Sequence, residues 1–164
     1  MKIGLISDTH AYLDPRLFEL FADVDEIWHA GDIGSMEVLE SLRRFKPLRA
    51  VYGNIDGAEM RYNLNEIERF TVWGVEVLLM HIGGYPGKYS AKALIKLAQK
   101  PPQVLVCGHS HILKVIFDKQ YNCLHLNPGA CGRFGFHVVR TALRFSINDG
   151  KIEDMEVIEL GQRN

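Results

Sequence analysis

Short apolar runs recur along the chain, and between the first three of them apolar residues repeat every three or four positions. Ile3–Ser7, Glu26–Ala30 and Leu48–Tyr52 read as buried strands, because a near-continuous apolar run of this length is what a strand covered on both faces needs. Leu17, Phe18 and Phe21 form one helical stripe behind Asp14-Pro15, and Met36, Leu39 and Leu42 form another behind Ser35. Proline suits a first helical turn, and an Asp or Ser ahead of the turn can accept its free N–H groups. Lys46-Pro47 is expected to stop the second helix. This strand–helix–strand–helix–strand rhythm predicts a layered α/β fold.

The pattern changes after Tyr52. Arg61–Arg69 is polar and has no assignable period. Phe70–Trp73 and Val75–Met80, separated by Gly74, read as a hairpin, and His81–Tyr89 reads as a Gly- and Pro-rich loop. Ser90–Lys100 carries Ala91, Leu94, Ile95, Leu97 and Ala98 at helical spacing and halts at Pro101-Pro102. Val104–Cys107, Leu113–Asp118, Cys123–Leu126, Thr141–Ile147 and Ile152–Leu160 then read as short strands, with turns at Asn127-Pro128-Gly129 and Asn148-Asp149-Gly150. Strands this dense suggest a second, mostly antiparallel sheet packed on the first. No linker, repeat or low-complexity segment interrupts the chain, so residues 1–164 are expected to form one domain.

Charge and composition narrow the function classes. Nineteen basic and twenty acidic residues give a net charge of −1, which lacks the basic footprint of a stable nucleic-acid complex. Three cysteines, Cys107, Cys123 and Cys131, form no CxxC pair and leave an odd thiol, which argues for a reducing compartment. Cys107 reads as a small buried hydrophobe. The first residues enter a strand directly, and no run approaches the roughly 20 apolar residues of a membrane span. The expectation is a cytoplasmic protein with no membrane partner; a homo-oligomer stays open.

The chemistry lies where the apolar runs end. Asp8-Thr9-His10, Gly31-Asp32, Gly53-Asn54, His81 and Gly108-His109-Ser110-His111 each follow one of them. In a partly parallel sheet such ends share an edge, and ligands bind there. Each stretch also has a plainer reading. Asp8 and His10 form a turn, or share a face if the strand geometry continues. Asp32 caps a helix between two glycines, or bridges two cations about 3.5–4 Å apart. Asn54 is a turn residue or a neutral amide ligand, and a lone His81 is more often structural. Two histidines flanking one residue after a buried strand seldom serve packing. Taken as an ordered set, these donors point to two metal ions beside an open site, and hence to reaction at phosphorus. His29 and His125 lie inside strands and receive no role, and His137 reads as a surface residue.

This set resembles the calcineurin-like metallophosphoesterases, most of all their small single-domain bacterial and archaeal phosphodiesterases, over roughly Met1 to Gly129. The resemblance implies a four-layer α/β/β/α sandwich, with two mixed β-sheets flanked by helices. It places Asp8, His10 and His111 on one ion, Asn54, His81 and His109 on a second, and Asp32 between them. Asp32, Asn54 and His109 are then the catalytic residues, and Asn54 and Arg133 the substrate-binding ones. The implied cofactors are two divalent ions, Mn²⁺ first, with Fe, Zn²⁺, Ni²⁺ or Mg²⁺ as alternatives, since no thiolate biases the donor set toward zinc. The expected reaction is hydrolysis of a small phosphodiester by a metal-bridging hydroxide. Two departures stand out. Ile55 follows the motif Asn where many members carry a His, and Ile82-Gly83-Gly84-Tyr85-Pro86 replaces the usual Gly-His sequence after the motif His. A phosphomonoesterase is the alternative on the same site. A non-catalytic protein-binding scaffold of the same fold is a further one, although all seven metal-binding side chains are present.

Overall fold

The structure is a computed structural model that describes residues 1–163. In chain order the elements are β1 (Lys2–Ile6), α1 (Arg16–Leu20), β2 (Glu26–His29), α2 (Met36–Phe45), β3 (Leu48–Ala50), α3 (Ala58–Asn63), β4 (Ile67–Val72), β5 (Val75–Met80), β6 (Gly84–Tyr85), β7 (Lys88–Tyr89), α4 (Ala91–Gln99), β8 (Val104–Val106), β9 (Leu113–Asp118), β10 (Cys123–Pro128), β11 (Val139–Asn148) and β12 (Lys151–Gln162).

Two five-stranded sheets, ordered β12-β11-β1-β2-β3 and β4-β5-β8-β10-β9, pack face to face. Ile3, Leu5 and Trp28 of the first sheet meet Val77, Leu79, Val104 and Val106 of the second in one buried cluster. Trp28 sets the spacing there, edge-on to Phe70 and Phe145 at ring separations of 5.2 and 5.6 Å. On the outer faces, Leu17, Phe21, Leu39 and Leu42 of the α1–α2 region cover the first sheet, and Ala93 and Leu97 of α4 cover the second. The layers are therefore helix, sheet, sheet, helix. Ser35 and Ser90 cap α2 and α4, accepting from Val38 N at 3.3 Å and Ala93 N at 3.2 Å. Asp14, expected as the α1 cap, sits one position early. Its carboxylate accepts from Arg16 N at 3.0 Å and pairs with Arg140 at 2.7 Å, tying α1 to β11.

The second sheet is not mostly antiparallel. β5, β8 and β10 run parallel at its centre, with β4 and β9 antiparallel at its edges. The late strands β11 and β12 leave it for the first sheet, where β11 lies antiparallel to β1 with Ile3 opposite Phe145. Alternation in β11 shows that one of its faces is buried but not against which sheet. The unassigned stretch Arg61–Arg69 holds the end of α3 and the start of β4, and the expected loop after His81 contains the small β6–β7 hairpin. No helix among the described residues is long and apolar enough to cross a membrane.

β10 carries an energetic cost at His125. The residue is fully buried, and neither ring nitrogen has a hydrogen-bond partner. Burial, reinforced by the Lys114 charge, pushes its pKa down to about 4. The unfolded chain, with an ordinary His pKa of about 6.5, binds this proton more readily, so the stability is complete above pH 6.5 and drains away as pH falls toward 4. Between pH 7.5 and 5 this residue should remove about 2 kcal/mol of stability. Urea unfolding of wild type and His125→Leu at both pH values should show the variant losing about 2 kcal/mol less than wild type. Equal losses would show that His125 does not titrate on unfolding.

Candidate metal centre

The five motif stretches meet at one end of the paired sheets, beyond the carboxyl ends of β1, β2, β3, β5 and β8. Five of the seven donors are aimed by backbone geometry that strand alternation does not predict. Asp8 (φ 55°), His10 (φ 46°), Asp32 (φ 54°), His109 (φ 68°) and His111 (φ 56°) all lie in the left-handed region. For residues other than glycine this costs on the order of 1–3 kcal/mol each, and it persists only where the surroundings enforce it. Asp8 and His10 thus converge through two kinks, not along a continued strand.

The enforcing contacts are explicit. The first loop is laced to the second through Asp8 N to Gly31 O, His10 N to Asp32 O and Ala11 N to Ile33 O, at 3.0, 3.0 and 2.8 Å. The buried Asp56 carboxylate accepts from Ile33 N, Gly34 N and Gly53 N at 3.1, 2.8 and 2.8 Å, joining the second loop to the third. The Asn127 amide donates to Gly108 O at 2.9 Å and Ser110 Oγ at 3.1 Å, bracing the loop of the paired histidines. Asp56 and Asn127 sit in stretches whose composition signals only turns, so sequence reasoning passes over both. Gly53 is required by close approach, because a Cβ there would lie 2.0 Å from Asp32 Oδ1.

Two groups of donors result. Asp8, His10 and His111 place one ligand atom each within 4.8 Å of one another, and Asp32, His81 and His109 do the same. Asp32 Oδ2 looks into both, 3.2 Å from His81 Nε2 and 3.7 Å from His10 Nε2, while its Oδ1 accepts from Ile55 N at 3.1 Å. Asn54 Oδ1 is 3.1 Å from His81 Nε2. Asp8 Oδ2 accepts from His109 N at 3.1 Å, which leaves Oδ1 facing inward, 3.1 Å from His111 Nε2. Asp8 Oδ1 and His10 Nε2 are buried without any hydrogen-bond partner. Buried polar atoms are nearly always satisfied, so these two fit a cation at their meeting point.

The proton positions agree with that fit. His81 Nδ1 donates to Ala30 O at 2.7 Å. With carboxylate and amide oxygens around it, Nε2 must hold either a proton or a cation. Burial works against the protonated ring, but the Asp32 hydrogen bond and the Asp8 charge outweigh it and raise the His81 pKa. Burial pushes Asp32 upward too, yet His81 and the Ile55 N–H hold it below the usual carboxylate range. Burial lowers His10 and His109, which keeps their rings available as neutral ligands.

The remaining histidines separate clearly. His29 is a satisfied core residue: Nε2 donates to Thr9 Oγ1 at 3.0 Å and Nδ1 accepts from Gly31 N at 3.1 Å. His137 is not a detached surface residue. It is half-buried against His111, with 3.3 Å between the two Nδ1 atoms, and its Nε2 lies 3.0 Å from Gly132 O. Its position depends on the 132–138 loop folding back over the site, where Phe134 also lies 5.2 Å from the His10 ring. Arg133 is exposed, with its guanidinium 4.1 Å from the Tyr12 ring centre.

Residues 1–150 match the calcineurin-like phosphoesterase superfamily domain. A probable metallophosphoesterase of Methanothermobacter thermautotrophicus is 34% identical over 139 residues, covering 79% of this chain and 77% of that protein. A phosphodiesterase of Methanocaldococcus jannaschii is 28% identical over 144 residues, covering 80% of this chain and 84% of its own. Among solved structures, a Vps29 variant from Entamoeba histolytica has a TM-score of 0.74 at 20% identity, covering 98% of this chain and all of that one (100%). The chain belongs to the calcineurin-like phosphoesterase superfamily, a metal-dependent family of hydrolases.

Proposed function

We propose that the chain is a metal-dependent phosphodiesterase with a dinuclear centre. The observation that carries this reading is the pair of donor triads meeting at one sheet edge, with Asp8 Oδ1 and His10 Nε2 buried and unpartnered. Asp8, His10 and His111 would hold one ion, Asn54, His81 and His109 the other, with Asp32 between them. When bound, two such ions lower the pKa of a shared water and neutralise charge on the phosphate oxygens.

The protein's own part is orientation. Ile55 N fixes one Asp32 oxygen and leaves the other for the centre. Ala30 O fixes the His81 tautomer. Asn54 supplies an amide oxygen without adding charge. A phosphodiester is the preferred substrate over a monoester. The 28% identical phosphodiesterase supports the same choice. Ile55 can give no proton to a departing oxygen, so the rate should depend steeply on leaving-group acidity.

The test is hydrolysis of a series of aryl and alkyl phosphodiesters by chelator-stripped protein titrated with Mn²⁺, beside the matching monoesters. Activity should return with metal, favour diesters, and fall as the pKa of the departing alcohol rises. Preference for monoesters would make the protein a phosphatase. Folded, metal-binding protein inactive with every divalent ion would remove the enzymatic reading and leave the scaffold.

A further inference from the structure

A cavity of about 300 Å³ opens beside the Asn54 and His81 side of the centre, between α3 and the start of α4. Tyr52, Ile67, Met80 and Ile82 give it a largely apolar wall. At its rim Lys92 and Glu66 pair with each other and cancel. Arg61 differs. Its guanidinium stands 4.7 Å from the Tyr52 ring centre, its Nε donates to Asp56 O at 2.7 Å, and its Nη2 donates to Asn54 O at 3.4 Å. All three partners are neutral, and Arg61 forms no ion pair among the described residues. The positive charge is thus held in place but not compensated. It touches the backbone of Asn54, whose side chain faces His81.

A guanidinium fixed by carbonyls and an aromatic face, with donors to spare, is preorganised for a carboxylate or phosphate. The cavity is at the small end of ligand sites, which run to roughly 300–1,000 Å³, so it suits a single ring. We propose that this cavity binds one ester arm of the substrate and that Arg61 recognises a negative charge on that arm. The substrate class is a phosphodiester with one compact, largely apolar arm bearing its own carboxylate or phosphate. This inference rests on the phosphodiesterase reading of the adjoining centre.

Two 4-nitrophenyl phosphodiesters test it, one with phenyl and one with 4-carboxyphenyl as the second arm, assayed on the metal-loaded protein. Wild type should prefer the carboxylated arm by about 10-fold in kcat/KM, chiefly through KM, the yield of one charge-assisted contact. Arg61→Gln should bring that ratio to about one. A purely structural role for Arg61 would slow both substrates alike and leave the ratio intact. A wild-type ratio near one, or an unchanged ratio in the variant, overturns the inference while the phosphodiesterase reading stands. If neither diester is cleaved with any divalent ion, that reading fails instead. Calorimetric binding of 4-carboxyphenyl phosphate against phenyl phosphate then decides the inference: tighter carboxylate binding that Arg61→Gln abolishes supports it, and equal binding refutes it.

Discussion

Replacing Asp32 by Asn is expected to lower kcat on a phosphodiester by at least about 10³-fold, the scale of losing a principal electrostatic contact to the reacting centre. Asp32 is the donor whose free oxygen reaches both groups, 3.2 Å from His81 and 3.7 Å from His10. Asn has nearly the same shape, and its amide oxygen can still accept from Ile55 N. The change therefore puts an NH₂ group, which has no lone pair to offer a cation, where an ion's positive charge would call for an anion. Bound metal, measured by elemental analysis after gel filtration, should fall from about two ions per chain to about one. The fold should survive with a small loss, because His81 and the Ile55 N–H hold Asp32 below the usual carboxylate range, so its ionised form stabilises the folded chain at neutral pH. Its thermal midpoint in chelator should lie at or a few degrees below that of wild type. Full metal content with activity within tenfold of wild type would remove Asp32 from its bridging place.

How much of the fold and the site is legible in the sequence depends on what each residue answers to. β1 and β2 are readable because central parallel strands are covered on both sides, which leaves an unbroken apolar signature. The donor set is readable because each member directly follows such a run. How the donors converge is not. Asp8 and His10 share a site through left-handed kinks held by cross-loop hydrogen bonds and by Asp56, and no local pattern encodes contacts twenty or more residues away. The pairing of β11 with β1 sets Lys2 opposite Ser146, a contact across nearly the whole chain that no local pattern announces. Arg61 is hidden for a different reason. α3 is six residues long and mostly exposed, anchored by the burial of Met60, so it has too little apolar period to be seen. The cation that the sequence does bring forward, Arg133, stacks on Tyr12.

His137 carries the second large effect, through proton placement alone. Gly132 O can only accept, so His137 Nε2 must carry the hydrogen of their 3.0 Å contact. The neutral ring then has a lone pair on Nδ1, and His111 Nδ1 must donate to it across 3.3 Å. That leaves the His111 Nε2 lone pair directed inward beside Asp8 Oδ1. The chain from Gly132 to His137 to His111 thus fixes Nε2 as the nitrogen that His111 would offer an ion, as partners behind metal-bound histidines generally do. The loop is shaped to bring the two rings together, since a Cβ on Gly135 would lie 2.1 Å from His111 Nδ1. His137→Phe keeps the ring and loses the acceptor. It should weaken one of the bound ions by about 10–100-fold and leave the other near its wild-type affinity. His137→Gln restores an oxygen acceptor and should recover most of the loss. Calorimetric titration of the chelator-stripped proteins with Mn²⁺ reads both steps. If the Phe variant binds both ions as wild type does, His111 chooses its tautomer without His137, and the loop merely roofs the site.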